Sequence, residues 1–246
     1  MTVWTTYGVG AATADEAYVV ARPKYAPPMP LPVVMFCHGT GGGADYILTA
    51  TESAQMVSQH VVNAGYTMLS CDLGGTSTWG NATAISRMTD AFNYAQTIPG
   101  IKTGPVILFV ASMGGLSGLG WTATNQEKVR ALFGVTPVLD LTDVHSNNRG
   151  GYTAKINAAH GGAYSEATHG ATRNPTTLAA AGKYAGIPML IYYGATDDIC
   201  VPSRAAAFVA ASGATGVEVT GGHDAVTYTN VSIPAVLAFL AANDGV

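Results

Sequence analysis

The sequence predicts an α/β fold with a mostly parallel central sheet and helices on both of its faces. Short, continuous apolar runs alternate with segments in which apolar residues recur every three or four positions. Continuous runs are typical of parallel strands covered on both faces, and the spacing of three or four is typical of a helix that buries one face. The chain of 246 residues contains no fixed-period repeat and no charged or low-complexity linker, so we expect a single domain over residues 1–246.

The first half of the chain predicts two strand–helix pairs. The apolar run at 32–37 predicts a strand, and apolar residues over 47–61 then recur at helical spacing until Gly65. The run at 66–71 predicts the next strand, and helical spacing over 85–95 follows it before a Pro-Gly pair. Each pair is one strand covered by one helix, as an α/β architecture requires.

The second half continues the alternation and contains one interruption. Between Asp140 and Lys183 the periodicity stops, and the sequence is rich in Gly, Asn, Thr and His. We expect residues 140–183 to form loops or a small lid, inserted within the domain, over the ends of the strands. The remaining elements are predicted as strands at 106–110, 132–135, 188–193 and 217–219 and as helices at 205–211 and 233–240.

Composition narrows the class of protein and of partner. Charged residues are only 11% of the chain, against about 25% in an average globular protein, and hydrophobic residues are 48%, so disorder is not expected. The 15 acidic and 11 basic residues give a net charge of −4, and the bases form no stripe that could bind phosphates, so we expect no nucleic-acid partner. A sparsely charged surface favours an extracellular or particle-associated setting.

Three local sequence patterns, at the first residues, over 104–121 and around the cysteines, narrow the class of protein further. The first residues lack the basic and apolar regions of a signal peptide. Residues 104–121 approach the length of a membrane span, but small residues interrupt them, so a buried strand, a turn and a helix fit better. Cys37, Cys71 and Cys200 lack zinc-ligand spacing and cannot form an even set of disulfides, so we expect buried side chains there. Whether the cysteines pair, and which oligomeric state the chain adopts, stay open.

Chemically suggestive residues follow four of the predicted strands. Ligands of an open parallel sheet bind beyond the carboxyl ends of its strands, so a site is expected at these junctions. After 106–110, the sequence Ala-Ser-Met-Gly-Gly places Ser112 in a sharp turn between a strand and a helix. Such a turn lifts the serine Oγ out of the sheet edge and brings backbone N–H groups of the next helix beside it.

At this turn the chain resembles the α/β-hydrolase superfamily, and within it the serine esterases and lipases. The superfamily's nucleophile elbow reads Gly-x-Ser-x-Gly; Ser112 and Gly114 match it, and Val110 replaces the first glycine. A branched side chain there crowds the elbow, so we expect the helix and the strand to pack differently. The resemblance implies that Ser112 is the nucleophile.

The glycine-rich sequence that begins at His38, His-Gly-Thr-Gly-Gly-Gly, resembles the superfamily's oxyanion loop. Glycines let backbone amides approach a ligand closely. The resemblance implies that the N–H of Thr40, with Gly41 as a further donor, joins the N–H of Met113 in stabilising the oxygen that becomes negative during attack on an ester. His38 is expected to support the shape of the loop. The alternative, a phosphate-binding loop, lacks the required spacing and the following Lys-Ser/Thr.

The loop after 188–193 resembles the superfamily's acid loop, Gly-x-x-Asp followed by an apolar residue and Val-Pro. Counting from Gly194 selects Asp197, and counting back from the Val-Pro pair selects Asp198. We favour Asp197, because the glycine at the strand end fixes the turn more firmly than a later proline does. Asp198 stays as the alternative acid.

The sequence Gly-Gly-His-Asp after 217–219 resembles the superfamily's histidine loop and implies that His223 is the base. A neutral imidazole can take the serine proton and later deliver it to the leaving group when a carboxylate holds its other nitrogen. The chain order serine, acid, histidine is that of the α/β-hydrolases. The other histidines lie on a predicted helix, in the oxyanion loop and within 140–183.

These motifs predict a carboxylester hydrolase in which Ser112, activated by His223 and Asp197, forms an acyl-enzyme that water resolves. No metal and no organic cofactor is predicted, because the histidines and acids form no coordinating cluster in the sequence. Few large apolar residues in 140–183 favour a small, open cleft for short or modest groups of a small-molecule or surface-displayed ester. Trp79 either lines this cleft or only packs beside it.

Two alternatives to an esterase stay open. An identical triad can cleave amides, so a peptidase or amidase fits the same residues. A hydrolase scaffold can also serve as a non-catalytic binding module, because a fold does not guarantee an activity.

Overall fold

A computed structural model of the chain describes residues 4–13, 16–23, 30–49 and 52–245. These residues form a sheet of eight strands. In chain order the strands are β1 (Trp4–Thr13), β2 (Glu16–Pro23), β3 (Val33–Cys37), β4 (Thr67–Cys71), β5 (Val106–Ala111), β6 (Val129–Val135), β7 (Met189–Gly194) and β8 (Thr215–Val219). Across the sheet they lie in the order β1-β2-β4-β3-β5-β6-β7-β8.

The sheet is mostly parallel, and the predicted fold class is therefore confirmed. β2 runs antiparallel to both of its neighbours, β1 and β4. The strands from β4 across to β8 all run parallel to one another. The antiparallel pair β1 and β2 was not predicted, and β6 begins at Val129, before the predicted boundary at 132.

The helices separate and follow the parallel strands. They are α1 (Tyr46–Thr49), α2 (Glu52–Asn63), α3 (Ala82–Ala95), α4 (Gly114–Thr122), α5 (Leu141–Ser146), α6 (Thr153–Ala159), α7 (Ala171–Arg173), α8 (Pro175–Ala180), α9 (Pro202–Ser212), α10 (Ala225–Thr229) and α11 (Ile233–Asn243). Short 3₁₀ turns occupy Gln126–Lys128 and Arg149–Gly151, and a π-type turn occupies Glu166–Gly170. The helical face predicted over 47–61 is divided between α1 and α2, and residues 50 and 51 between them lie outside the described residues.

Helices cover both faces of the sheet, as the continuous apolar runs predicted. Met35 and Cys37 of β3 belong to the core beneath α3, α4, α8 and α9. Val34 and Phe36 of the same strand belong to the core beneath α1, α2 and α11. Side chains alternate between the two faces of a strand, and helices cover both faces, so every residue of β3 is buried. The carboxyl ends of the parallel strands meet at one edge of the sheet, which the helices leave accessible.

Short helices as well as loops make up the segment 140–183, which contains α5 to α8. A partly buried carboxylate, Glu166, holds several of these elements together. It accepts hydrogen bonds from Tyr164 Oη at 3.0 Å and Asn174 Nδ2 at 2.9 Å. The hydroxyls of Thr142 and Thr177 also donate to it. One side chain therefore links α5, the π-type turn and α8.

Acid is expected to weaken this link. Burial alone would raise the pKa of Glu166, but the four hydrogen bonds outweigh burial and hold the pKa below its ordinary value of 4.5. A carboxyl whose pKa is lowered on folding stabilises the fold fully above its unfolded pKa, and the contribution is lost as the pH falls through the folded pKa. Glu166→Gln should lower the free energy of unfolding by about 1–3 kcal/mol near neutral pH. This deficit should shrink as the pH falls below 4.5.

Urea unfolding of the wild type and of Glu166→Gln at a series of pH values measures the effect. Glu127→Gln is the matched control, because Glu127 is exposed and lies in a short turn outside this segment. Its free energy of unfolding should follow that of the wild type at every pH. A deficit in Glu166→Gln that stays constant down to about pH 3 would contradict the assignment, because a contribution carried by an ionised carboxylate must disappear in acid.

Candidate active site

Ser112 lies at the sharp turn between β5 and α4. Its φ is +49°, in the left-handed region that residues other than glycine seldom adopt. A Cβ on Gly114 would lie 2.1 Å from the carbonyl oxygen of Cys37, so only glycine fits at that position of the turn. On the other side, a Cβ on Gly39 would lie 3.1 Å from the Ser112 Cβ. The glycine-rich loop after β3 therefore passes directly beside the serine.

Val110 occupies space that two glycines leave free. A Cβ on Gly118 of α4 would lie 2.4 Å from Val110 Cγ1, and a Cβ on Gly134 of β6 would lie 3.1 Å from Val110 Cγ2. The branched side chain is fully buried between the helix and the neighbouring strand. The crowding expected at this position is thus relieved by the absence of side chains opposite it.

The structure brings Ser112, His223 and Asp197 into one line of hydrogen bonds. Ser112 Oγ lies 2.8 Å from His223 Nε2, and His223 Nδ1 lies 2.9 Å from Asp197 Oδ2. The Asp197 side chain is fully buried, and that of His223 is 17% exposed. Asp198, the alternative acid, is exposed and takes no part in these contacts. Of the two aspartates, Asp197 is the one within reach of the imidazole.

Backbone amides hold the Asp197 carboxylate in place. Its Oδ1 accepts hydrogen bonds from the N–H of Ile199 at 2.9 Å and of Cys200 at 2.7 Å. Oδ2 is left for the imidazole. The N–H of Thr196 donates to the carbonyl of Gly221 at 2.9 Å, which ties the acid loop to the histidine loop.

A buried carboxylate from the 140–183 segment also reaches the acid loop. Asp143 accepts hydrogen bonds from Arg149 and from Arg204 Nε, the latter at 3.1 Å. Burial alone would raise the pKa of Asp143, but the two guanidinium groups outweigh it and hold the pKa below its ordinary value. Arg149 Nη1 also donates to the Asp198 carbonyl at 3.3 Å, so this ion pair braces the loop that carries Asp197.

Two backbone amides near Ser112 are available to a ligand. Within the described residues, neither the Thr40 N–H nor the Met113 N–H donates to another group of the chain. The Thr40 Oγ1 is also buried without a partner there. The expectation that Gly41 helps as a further donor was wrong, because its N–H donates to the Thr76 carbonyl at 2.8 Å and stabilises the loop instead.

His38 is buried inside the glycine-rich loop after β3. Its Nδ1 lies 2.8 Å from the Gly39 carbonyl oxygen, and its Nε2 lies 2.9 Å from the Asp72 carbonyl oxygen. The ring thus connects the loop after β3 with the residues after β4. These contacts fit the expected role in supporting the shape of the loop.

Ser112 and His223 open into a cleft with a volume of about 210 Å³. Three tyrosines, which no sequence motif singled out, form much of its wall. They are Tyr46 at the start of α1, Tyr152 before α6 and Tyr228 in α10. Thr40, Thr136 and Asp224 add polar groups to the lining.

Trp79 does not line this cleft. Its side chain is 1% exposed, and its ring packs on Tyr152 with 4.8 Å between the ring centroids. The Trp79 Nε1 donates to Ser77 Oγ at 3.0 Å. Of the two roles expected for this residue, packing is the one that fits: Trp79 supports Tyr152, which itself contacts the cleft.

One cluster of ligand-type side chains escaped the sequence reasoning. Among the described residues, Asp197, Cys200 and His223 place one ligand atom each within 4.8 Å of the others. These residues come from two loops that the sequence did not place together. The three cysteines are free of disulfides and buried, and the Cys200 thiol lies near the Asp197 carboxylate. The spacing Asp-x-x-Cys was the signal in the sequence.

Comparison with known proteins identifies the fold. No protein-family model matches the chain, and no curated protein matches its sequence. A truncated carbohydrate esterase from gut microbiota superimposes with a TM-score of 0.74 over 99% of this chain and 97% of its own, at 13% identity. An S-formylglutathione hydrolase from Agrobacterium tumefaciens superimposes with a TM-score of 0.71 over 98% of this chain and 95% of its own, at 12% identity.

A longer protein also matches. A structure from Bacteroides ovatus, described as a dipeptidyl aminopeptidase IV, gives a TM-score of 0.71 at 16% identity. The match covers 98% of this chain and 36% of that one, so the chain spans about a third of its length. At these identities the likeness establishes the fold, which is that of the α/β-hydrolases. No helix in the part of the chain that the structure describes is both long and apolar enough to cross a membrane.

Proposed function

We propose that the chain is a serine hydrolase that cleaves carboxylic esters through an acyl-enzyme. The observation that carries this proposal is the line of hydrogen bonds from Ser112 through His223 to the buried Asp197. A serine is a weak nucleophile until a neighbouring base takes its proton. The Nε2 of His223 is within hydrogen-bond distance to do so, and the Asp197 carboxylate holds the other ring nitrogen and stabilises the imidazolium that forms.

The reaction then proceeds in two halves. Ser112 Oγ attacks the ester carbonyl, and the carbonyl oxygen becomes negative beside the unpaired amides of Thr40 and Met113. His223 passes its proton to the leaving alcohol, which leaves the acyl group on Ser112. Water attacks this acyl-enzyme, with His223 again as the base, and releases the acid.

The dimensions of the cleft support short or modest substrate groups. A cleft of about 210 Å³ is smaller than the sites of about 300–1,000 Å³ that bury drug-sized ligands. We infer that the segment 140–183 acts as a small fixed cover, because it supplies Tyr152 to the wall and is braced by Asp143 and Glu166. The matched carbohydrate esterase supports an ester as the bond cleaved.

Labelling with an alkyl fluorophosphonate tests the nucleophile. The wild type should become covalently labelled, and Ser112→Ala should not. A panel of p-nitrophenyl esters of increasing acyl length, with Ser112→Ala as the blank, should then give turnover that is highest for the short acyl groups. A wild type that is neither labelled nor active on any ester near neutral pH would overturn the proposal and leave the scaffold as a binding module.

An amidase is the second candidate, and the match to a dipeptidyl aminopeptidase IV favours keeping it. The same triad can attack an amide, so the hydrogen bonds do not separate the two reactions. Rates on an ester and on an anilide with the same acyl group distinguish them. We expect the ester to turn over faster, and an anilide rate equal to or above the ester rate would move the assignment to amide hydrolysis.

A further inference from the structure

Cys200 lies next to the acid–base pair and takes no part in the proposed reaction. It sits three residues after Asp197 on the same loop, and its N–H donates to Asp197 Oδ1 at 2.7 Å. Its thiol, one oxygen of Asp197 and one ring nitrogen of His223 lie within 4.8 Å of one another. Burial, and then the charge of Asp197, raise the pKa of the Cys200 thiol, so it stays protonated in the free protein.

These three side chains form a donor set suited to a cation of the zinc and cadmium type. Thiolate, imidazole and carboxylate are the ligands that Zn²⁺ takes in proteins, at about 2.0–2.3 Å each. Ligands at those distances around a tetrahedral ion lie about 3.3–3.8 Å apart. The distance of 2.9 Å between His223 Nδ1 and Asp197 Oδ2 is slightly shorter than these separations. Because all three ligand atoms lie within 4.8 Å of one another, side-chain shifts of no more than about 1 Å bring them to the distances that the ion requires.

The charges of the group also match such a cation. A carboxylate and a thiolate together neutralise a divalent ion, so the occupied site carries no net charge, which suits a buried position. Asp197 Oδ1 is held by two backbone amides, which leaves Oδ2 to face the ion. Of the three side chains, His223 is the one that lines the cleft, and it is 17% exposed.

We propose that Asp197, Cys200 and His223 form a binding site for a thiophilic divalent cation, and that its occupation switches off the base. The binding part does not depend on the proposed function, whereas the inhibition rests on it. The ion takes Nδ1 of His223 and the sulfur of Cys200, and the thiol proton leaves to solvent. The ring proton moves from Nδ1 to Nε2, so the imidazole remains neutral.

This change of tautomer is what stops the reaction. With its proton on Nε2, the imidazole donates to Ser112 Oγ instead of accepting from it. The serine then has no base, although the hydrogen-bonded positions of the two residues hardly change. A base held in the wrong tautomer lowers kcat by about 10⁴-fold in serine proteases.

Cadmium binding tests the site directly. Titration with Cd²⁺, followed by the ultraviolet charge-transfer band of a cadmium thiolate, should show one ion bound by the wild type. Ser112→Ala should bind equally well, because the nucleophile is not a ligand. Cys200→Ser and Cys200→Ala should lose the band, and their affinity for Cd²⁺ should fall by at least about 100-fold. Asp198→Asn, which alters the exposed neighbour of Asp197, is the matched control and should bind as the wild type does.

A second measurement follows turnover of a short p-nitrophenyl ester. Saturating Cd²⁺ or Zn²⁺ should lower kcat by about 10³–10⁴-fold. A chelator should restore kcat, and Cys200→Ser should stay active in the presence of the ion. Cys200→Ser that binds Cd²⁺ with unchanged affinity, or a wild type without the band, would overturn the proposal. If the band forms but the wild type cleaves no ester, the proposed function fails while the binding site stands.

Discussion

Asp197→Asn is expected to lower kcat/KM for ester hydrolysis by about 10⁴-fold, whereas Asp198→Asn should change it by less than about twofold. The two aspartates are neighbours in the chain, but only Asp197 is buried and within 2.9 Å of His223 Nδ1. An asparagine at 197 can place its amide N–H groups towards the imidazole. His223 Nδ1 would then accept a hydrogen bond, its proton would lie on Nε2, and Ser112 would lose its base.

The same substitution leaves the local fold intact. An asparagine oxygen can still accept from the N–H groups of Ile199 and Cys200, as Asp197 Oδ1 does. The Tm of Asp197→Asn should therefore stay near that of the wild type, which separates lost chemistry from lost structure. Initial rates on a short ester and thermal unfolding of both variants give the comparison. A larger loss of activity in Asp198→Asn than in Asp197→Asn would reverse the assignment of the acid.

Much of the sheet could be predicted because of how it is buried. β3 and β5 are buried at every position, and each appears in the sequence as an unbroken apolar run. β4 is buried at every position as well, although Thr67 and Ser70 interrupt its apolar residues. β1 carries no such run, because Gly and Thr interrupt it. β2 has an apolar run at 17–21, between a glutamate and an Arg-Pro pair, but it is not followed by a helix of its own. Their pairing depends on β2 finding the edge at β4, a long-range contact that local sequence does not encode.

The proposed nucleophile, base and acid could be located because each follows a strand directly. Ser112 follows β5, Asp197 follows β7 by a short turn, and His223 follows β8. The carboxyl ends of parallel strands meet at one edge, so short loops can bring these residues together whatever the helices do. The choice between Asp197 and Asp198 needed the structure, because both fit a motif and only burial separates them.

The residues that escaped prediction depend on packing between distant segments. Tyr46, Tyr152 and Tyr228 come from three separate helical regions and meet only at the cleft. From the sequence, Cys200 is predicted only as a buried cysteine. Its position beside His223 depends on how the loops after β7 and β8 fold. Gly41 could not be excluded as a donor until its hydrogen bond to Thr76 was known.

Gly118→Ala is expected to destabilise the protein, and to do so more than a glycine-to-alanine change elsewhere in α4 outside the turn at Ser112. The new Cβ would lie 2.4 Å from Val110 Cγ1, inside a fully buried core. Overpacking of this kind costs about 1–3 kcal/mol, partly offset by about 1 kcal/mol that alanine gains over glycine in a helix. Gly120→Ala in the same helix is the matched control, because its Cβ would approach only the flexible tip of Ile85, at 2.8 Å. Its free energy of unfolding should equal or exceed that of the wild type.

The double variant Val110→Ala/Gly118→Ala tests whether the clash is the cause. Val110→Ala alone removes buried methyl groups and leaves a cavity, so it should also destabilise the protein. Placed together, the two changes exchange side-chain volume across the same contact, and the double variant should be more stable than the sum of the single losses predicts. Urea unfolding of the wild type, both single variants and the double variant gives the coupling energy. Strict additivity would mean that Gly118 is required for some reason other than the room it leaves for Val110. A favourable coupling would show that the branched residue replacing the elbow's first glycine is accommodated by a glycine on the facing helix.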